Sequence, residues 1–165
     1  MKIPALQEVI ISGSELERTL HRIMPLANIT IDYKPDGSGD TAILCNPSME
    51  VEEKGTAGNG QACLIKIKTV VGTVGVLNVH AARKRRRRAE MWQWVRTIIE
   101  AGRWIVIGDF NNVGRQEDCY SPVLRGGELS KWELCVGQAD LVDIWPLVLE
   151  SKGPLFTRQR PSGCA

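Results

Sequence analysis

Cysteine pairing is the first thing missing. The five cysteines, Cys45, Cys63, Cys119, Cys135 and Cys164, are odd in number and far apart, and no two form a CxxC pair. Neither a disulfide framework nor a zinc site is therefore indicated. Histidine is scarce, with His21 and His80 only. No run approaches the roughly 18 apolar residues of a membrane-spanning helix. The apolar start is broken by Gln7 and Glu8 before a signal-peptide core develops. No internal repeat and no low-complexity stretch other than an arginine run is present. These absences lead to the expectation of a reducing, intracellular compartment.

What is present describes a globular protein. The 165 residues, 43% hydrophobic and 24% charged, suit a single domain spanning 1–165 with its own core. The net charge of +2 hides an uneven distribution. Six of the 21 cations fall in Arg83-Lys84-Arg85-Arg86-Arg87-Arg88, leaving 15 against 19 anions elsewhere. A mildly acidic body with one concentrated basic site favours a local polyanion contact over a wholly basic nucleic-acid coat. The run is read as phosphate-binding, with nuclear import recognition or a solvated loop as alternatives.

Along the chain, Ile3 to Leu6 leads into Gln7-Glu8 as a short strand that Pro4 confines to an edge or a strand start. Ser14 and Glu17 have the spacing of a capping box ahead of Leu16, Leu20, Ile23 and Met24, predicting a helix that stops near Pro25. Strand material follows at Ile29–Tyr33 and Thr41–Cys45, around a turn at residues 35–39. Ala62–Lys68 and Val74–His80, separated near Gly72, predict an antiparallel hairpin. A helix from about Arg86 to Ala101 carries Met91, Trp92, Val95, Ile98 and Ile99 on one stripe and ends at Gly102. Trp104–Ile107 is a continuous apolar strand of the kind buried on both faces. A polar loop, a short helix through Leu129–Cys135, Leu141–Trp145 and Leu155–Phe156 complete the series. Strands and helices mix without strict alternation, which predicts packed mixed sheets with outer helices. Trp92, Trp104 and Trp145 are read as core.

Three strand ends carry polar residues capable of chemistry. Asp109 and Asn111 are two apart and can share a face, where a carboxylate and an amide orient a water and hold a phosphate oxygen, while Phe110 points into packing. Gly108 lets a bound group approach the backbone. His80 closes the preceding strand, on the face of Asn78 and Val76, and an imidazole can donate or take a proton at cellular pH. Glu8 follows the first strand, where a carboxylate can bind Mg²⁺. Each has a bland reading as well: a polar exit turn, a structural histidine, a solvated terminus.

Together, Leu6-Gln7-Glu8, Asn78-Val79-His80-Ala81 and Gly108-Asp109-Phe110-Asn111 resemble, in content and order, the endonuclease/exonuclease/phosphatase superfamily with its DNase I-like fold. Asp40-Thr41-Ala42-Ile43-Leu44 is similar to the family's Gly-x-Ala-Ile-Leu strand. Leu141-Val142-Asp143-Ile144-Trp145 and Phe156-Thr157 are similar to segments of LINE-type retrotransposon endonuclease domains. The resemblance implies an α+β fold, a four-layer α/β/β/α sandwich of two mixed sheets. It also implies a phosphodiesterase or phosphatase dependent on Mg²⁺ or Mn²⁺. Glu8 matches the metal-binding glutamate, Asp109 and Asn111 the pair that positions water and scissile phosphate, and His80 a proton donor to the leaving oxygen. DNA is the implied partner, contacted by Arg83, Arg85, Arg86, Arg87 and Arg88, in a monomer or part of a larger polyprotein.

The departures set a further expectation. Members of the family carry an asparagine-bearing strand before the glutamate and a closing Asp-His pair, whereas no Asn precedes Glu8, no Asp follows Asp143 and no His follows His80. The resemblance therefore implies a domain lacking its first and last core strands. Its catalysis is expected to be weak or absent, since loss of a general acid or base costs about 10²–10⁴ in rate. Two alternatives stand beside DNA cleavage: hydrolysis of a lipid, inositol or nucleotide phosphoester, and non-catalytic nucleic-acid binding.

Overall fold

The structure is a computed structural model that describes residues 3–11, 13–34, 40–57, 59–99, 102–111, 137 and 140–142. The chain separates into two compact units, residues 1–111 and 112–165, where the sequence reads as one domain. The regular elements described lie in the first unit. The sequence-derived helix at 129–135 and the strands at 141–145 and 155–156 fall mostly or wholly outside the described residues.

Two sheets form the first unit. In chain order the elements are β1 (Ala5–Val9), α1 (Gly13–Ile23), β2 (Asn28–Asp32), β3 (Asp40–Cys45), β4 (Val51–Thr56), β5 (Ala62–Thr69), β6 (Gly72–His80), α2 (Arg85–Ile99) and β7 (Arg103–Asp109). The first sheet has the order β1-β3-β2 and the second β4-β5-β6-β7. Pairing is antiparallel in the first sheet and along β4-β5-β6. β6 and β7 run parallel with α2 as their crossover, as parallel neighbours require. The arrangement is α+β, as expected.

The sheets meet face to face. Ile43 and Cys45 of β3 pack with Cys63, Ile65 and Ile67 of β5 and Val76 of β6, all fully or almost fully buried. Both faces of β3 are covered, because Leu16 and Leu20 of α1 pack on Ala42 and Leu44 from the opposite side. β5 and β6 likewise bury Leu64, Leu77 and Val79 in the opposite phase of the strand alternation. With the inner face taken by the first sheet, the outer face is left for α2, whose Met91, Trp92, Val95 and Ile99 are buried. Layers of helix, sheet, sheet and helix result.

Several local expectations are modified. α1 begins at Gly13, so Ser14 lies inside the helix and does not cap it. Glu17 instead accepts a hydrogen bond from the Tyr33 hydroxyl at 3.1 Å, and the Tyr33 ring lies where a Cβ on Gly13 would sit. β4 went unread because Glu52, Glu53 and Lys54 are exposed on an edge strand that lacks an apolar alternation. β7 is an edge strand among the described residues, with Ile105 46% exposed, rather than a strand covered on both faces. Trp92 is core, whereas Trp104 is half-buried against Gly75.

Burial pushes the Cys63 thiol from the usual 9.0 up to about 12. The fold thus keeps a proton that the unfolded chain releases above pH 9, and stability falls as pH rises past that point. Peptide mapping after iodoacetamide treatment at pH 8.5 should find Cys63 unlabelled in the native protein and labelled in urea.

Candidate functional site

β1 ends in a distortion. Its register against β3 shifts between Leu6 and Val9, and Glu8 within that bulge has φ of 53°, a left-handed conformation uncommon for a residue with a Cβ. A bulge re-aims the side chain it carries, and here it directs Glu8 toward the end of β6. Glu8 Oε1 lies 3.3 Å from His80 Nε2 and 3.4 Å from an Arg83 guanidinium nitrogen. His80 is 17% exposed and Glu8 51%, so the pair sits at a rim.

What fixes that distance is Asn78, two residues before His80 on the same face and fully buried. Its Nδ2 donates to Leu6 O at 2.9 Å and Ala42 O at 3.1 Å. Its Oδ1 accepts from Gln7 Nε2 at 2.6 Å. One amide of the second sheet thereby grips two strands of the first, next to Glu8. Sequence reading placed Asn78 on this face but not in this role. The detectable signal is an amide in the apolar phase of a buried strand, where its groups must find partners.

His80 and Asp109 are cross-strand neighbours in the parallel β6–β7 ladder, which sets adjacent strands about 4.8 Å apart. Beyond β7 the strand alternation gives way to a turn. Asn111 has φ of 45°, and its backbone N–H donates to Asp109 Oδ1 at 2.9 Å. Asn111 Nδ2 donates to Ala81 O at 2.6 Å, while Ala81 N donates to Asp109 O at 2.8 Å. Asn111 therefore secures the loop after His80 to the loop after Asp109. Phe110 turns into packing as expected, with its ring centroid 5.7 Å from that of Trp92. Gly108 has φ of 137°, and a Cβ there would collide with Val79 O.

The basic run is not a uniform patch. Arg83, Lys84 and Arg87 line a cleft of about 360 Å³ that also touches Glu8 and His80. Arg86 turns away and meets Glu90 at 3.3 Å, with its side chain 93% exposed. Arg88 is 8% exposed, its guanidinium donating to Ala82 O at 3.0 Å and Arg83 O at 3.1 Å. That geometry braces the loop between β6 and α2. The side chain of Arg85 lies outside the described set.

A divalent cation has a narrow place here. Among the described residues no three His, Cys, Asp or Glu side chains gather as a metal cluster. Glu8 nevertheless uses Oε1 for both of its contacts, and among the described residues Oε2 takes none. Mg²⁺ binds through one or two carboxylates together with water and substrate phosphate oxygens. What the described residues offer such an ion is one carboxylate oxygen of Glu8, not a cage of protein ligands.

No protein-family model matches the sequence, and no curated protein matches it. Solved structures do. D. rerio TDP2 complexed with single-strand DNA product superposes with a TM-score of 0.57 at 12% identity, over 91% of this chain and 58% of that one. A D. rerio TDP2 humanized by 14 mutations gives 0.56 at 15%, over 79% and 56%. A β-hairpin deletion mutant of beta toxin from Staphylococcus aureus gives 0.55 at 12%, over 93% and 70%. The chain thus spans little more than half the length of the two TDP2 chains. These neighbours have the DNase I-like fold, and this chain shares it.

Asn78→Ala would leave the Gln7 amide without its acceptor, at about 1–3 kcal/mol if it stays dry, and would take from the Leu6 and Ala42 carbonyls, which also pair in the β1–β3 ladder, a second donor worth about 0.5–1.5 kcal/mol each. Urea unfolding should show a loss of more than about 2 kcal/mol. Asn78→Asp keeps the acceptor for Gln7 but turns an oxygen on Leu6 O and Ala42 O. Burial raises a carboxyl's pKa, so this variant's stability should fall as pH rises through the carboxyl titration and recover in mild acid.

Proposed function

We propose that the rim formed by Glu8, His80 and Asp109 hydrolyses a phosphodiester, with a DNA strand as substrate and a retroelement-type endonuclease as its ancestral form. The observation that carries this reading is the meeting of three distant strand ends: Glu8 within 3.3 Å of His80, and His80 opposite Asp109 in the ladder. Solvated termini or isolated structural residues have no reason to converge in this way. The D. rerio TDP2 neighbour complexed with single-strand DNA product supports the choice of nucleic acid. The LINE-like segments at 141–145 and 156–157 lie mostly outside the described residues and support the retroelement reading by sequence alone.

The chemistry divides among the residues in place. Asp109 orients a water and takes its proton as the oxygen attacks phosphorus. The bond from phosphorus to the leaving oxygen breaks, and His80 delivers a proton to that oxygen. Asn111, committed to Ala81 O, positions Asp109 and does not touch the phosphate. Glu8 holds the His80 ring through Nε2 and offers its other oxygen to Mg²⁺ or Mn²⁺. The ion would offset charge on the phosphoryl oxygens. No covalent enzyme intermediate is needed.

Plasmid nicking in Mg²⁺ checks the assignment. Slow nicking is expected from the purified chain. Glu8→Gln, His80→Gln and Asp109→Ala should each lower it by about 10²–10⁴, with DNA binding in EDTA retained. Nicking that is indifferent to all three substitutions would exclude hydrolysis at this rim.

A further inference from the structure

The cleft beside Glu8 and His80 is built from three segments, two of which lie outside the basic run. Lys34 follows β2, Asn59 and Gln61 belong to the turn between β4 and β5, and Arg83, Lys84 and Arg87 come from the loop and first turn of α2. Four cationic side chains and one carboxylate, Glu8, thus surround one space. The carboxylate already has Arg83 and His80 on it. Among the described residues neither Lys84 nor Arg87 has a carboxylate partner, which leaves both available to an anion from outside the protein.

The walls are held in advance. The buried Asp40 accepts from the Lys34 backbone N–H at 2.7 Å. The buried Asp32 accepts from Ala62 N at 3.1 Å and Asn59 N at 3.4 Å. Asn59 Oδ1 accepts from Gln61 N at 3.1 Å, and Gln61 O accepts from His80 N at 2.7 Å. Arg88 braces the third wall through Ala82 O and Arg83 O. A pre-organised anion site loses less on binding than one assembled by the ligand. The volume of about 360 Å³ lies at the small end of ligand pockets, which run from about 300 to 1,000 Å³. It has room for one nucleotide-sized group.

We propose that this cleft binds a second phosphate of the substrate, one link along from the phosphate that reaches Glu8 and His80. The site then selects a flexible single strand carrying at least two phosphates. The inference rests on the rim being a phosphodiester site, and it adds what that reading leaves open: which way the strand leaves the rim and why an isolated phosphomonoester is a poor ligand. Lys84 and Arg87 are specificity residues in this scheme, while Arg86 and Arg88 contribute nothing directly.

The test is fluorescence anisotropy in EDTA with the full chain and dye-labelled thymidine oligonucleotides carrying one, two or four phosphates. Affinity should rise about tenfold from one phosphate to two, as one or two charge-assisted hydrogen bonds give, and little from two to four. Lys84→Gln and Arg87→Gln, both at exposed positions, should remove that step and leave one-phosphate binding unchanged. Each should also flatten the salt dependence by about 0.7 in log-log slope. Arg86→Gln should match the wild type. A missing step, a step that survives both substitutions, or an equal loss in Arg86→Gln would overturn the subsite. An inositol bisphosphate competing as well as the two-phosphate strand would overturn the single-strand assignment. Absent nicking with the step intact would count against hydrolysis alone, and nicking without the step would count against the subsite alone.

Discussion

One buried amide holds the functional half of this fold together. Asn78 reaches from the second sheet to a carbonyl on each of two strands of the first, and to the Gln7 side chain next to the candidate metal ligand. Apolar packing between the sheets is strong but tolerant of sliding, because dispersion and burial have little direction. Three hydrogen bonds, one fully and two partly buried, are directional and costly to break. They convert a contact between layers into a fixed offset between β1 and β6, and the separation of Glu8 and His80 follows from that offset.

Charge placement around the rim follows a similar division of labour. Buried carboxylates, Asp32 and Asp40, are spent on backbone N–H groups and shape the cleft from behind. Cations stand in front, where an anion would arrive. This polarity works against a divalent ion binding Glu8 alone; under the proposed reaction the phosphate oxygens of the substrate would supply the missing negative charge.

Much of this was legible from residues. The hairpin of β5 and β6 shows as two β-rich runs around Gly72, and α2 shows as an apolar stripe ending at Gly102, because both obey a simple period. Glu8, His80 and Asp109 stand out as polar residues where apolar strands end. The cleft did not show itself. Lys34, Asn59 and Gln61 lie in polar turns whose composition says only that they are loops, and it takes buried Asp32 and Asp40 to place them beside His80. The arginines looked equivalent, yet helical periodicity sends Arg86 outward and turns Arg88 inward. The pairing of Asp109 with Asn111 was expected from strand alternation. It arises instead from a left-handed turn after the strand ends.

The left-handed backbone at Glu8 has a consequence for how the protein is made. A glutamate adopts that conformation only when its surroundings compel it, and here the two residues before it are held by a single downstream residue, Asn78, 71 positions beyond Gln7 and 72 beyond Leu6. During synthesis the carboxylate emerges before β6 and stays unaimed until β6 has left the ribosome and docked. The approach of Glu8 to His80 thus comes into being only with the long-range closure of the two sheets, and Asp109 joins them when β7 pairs with β6.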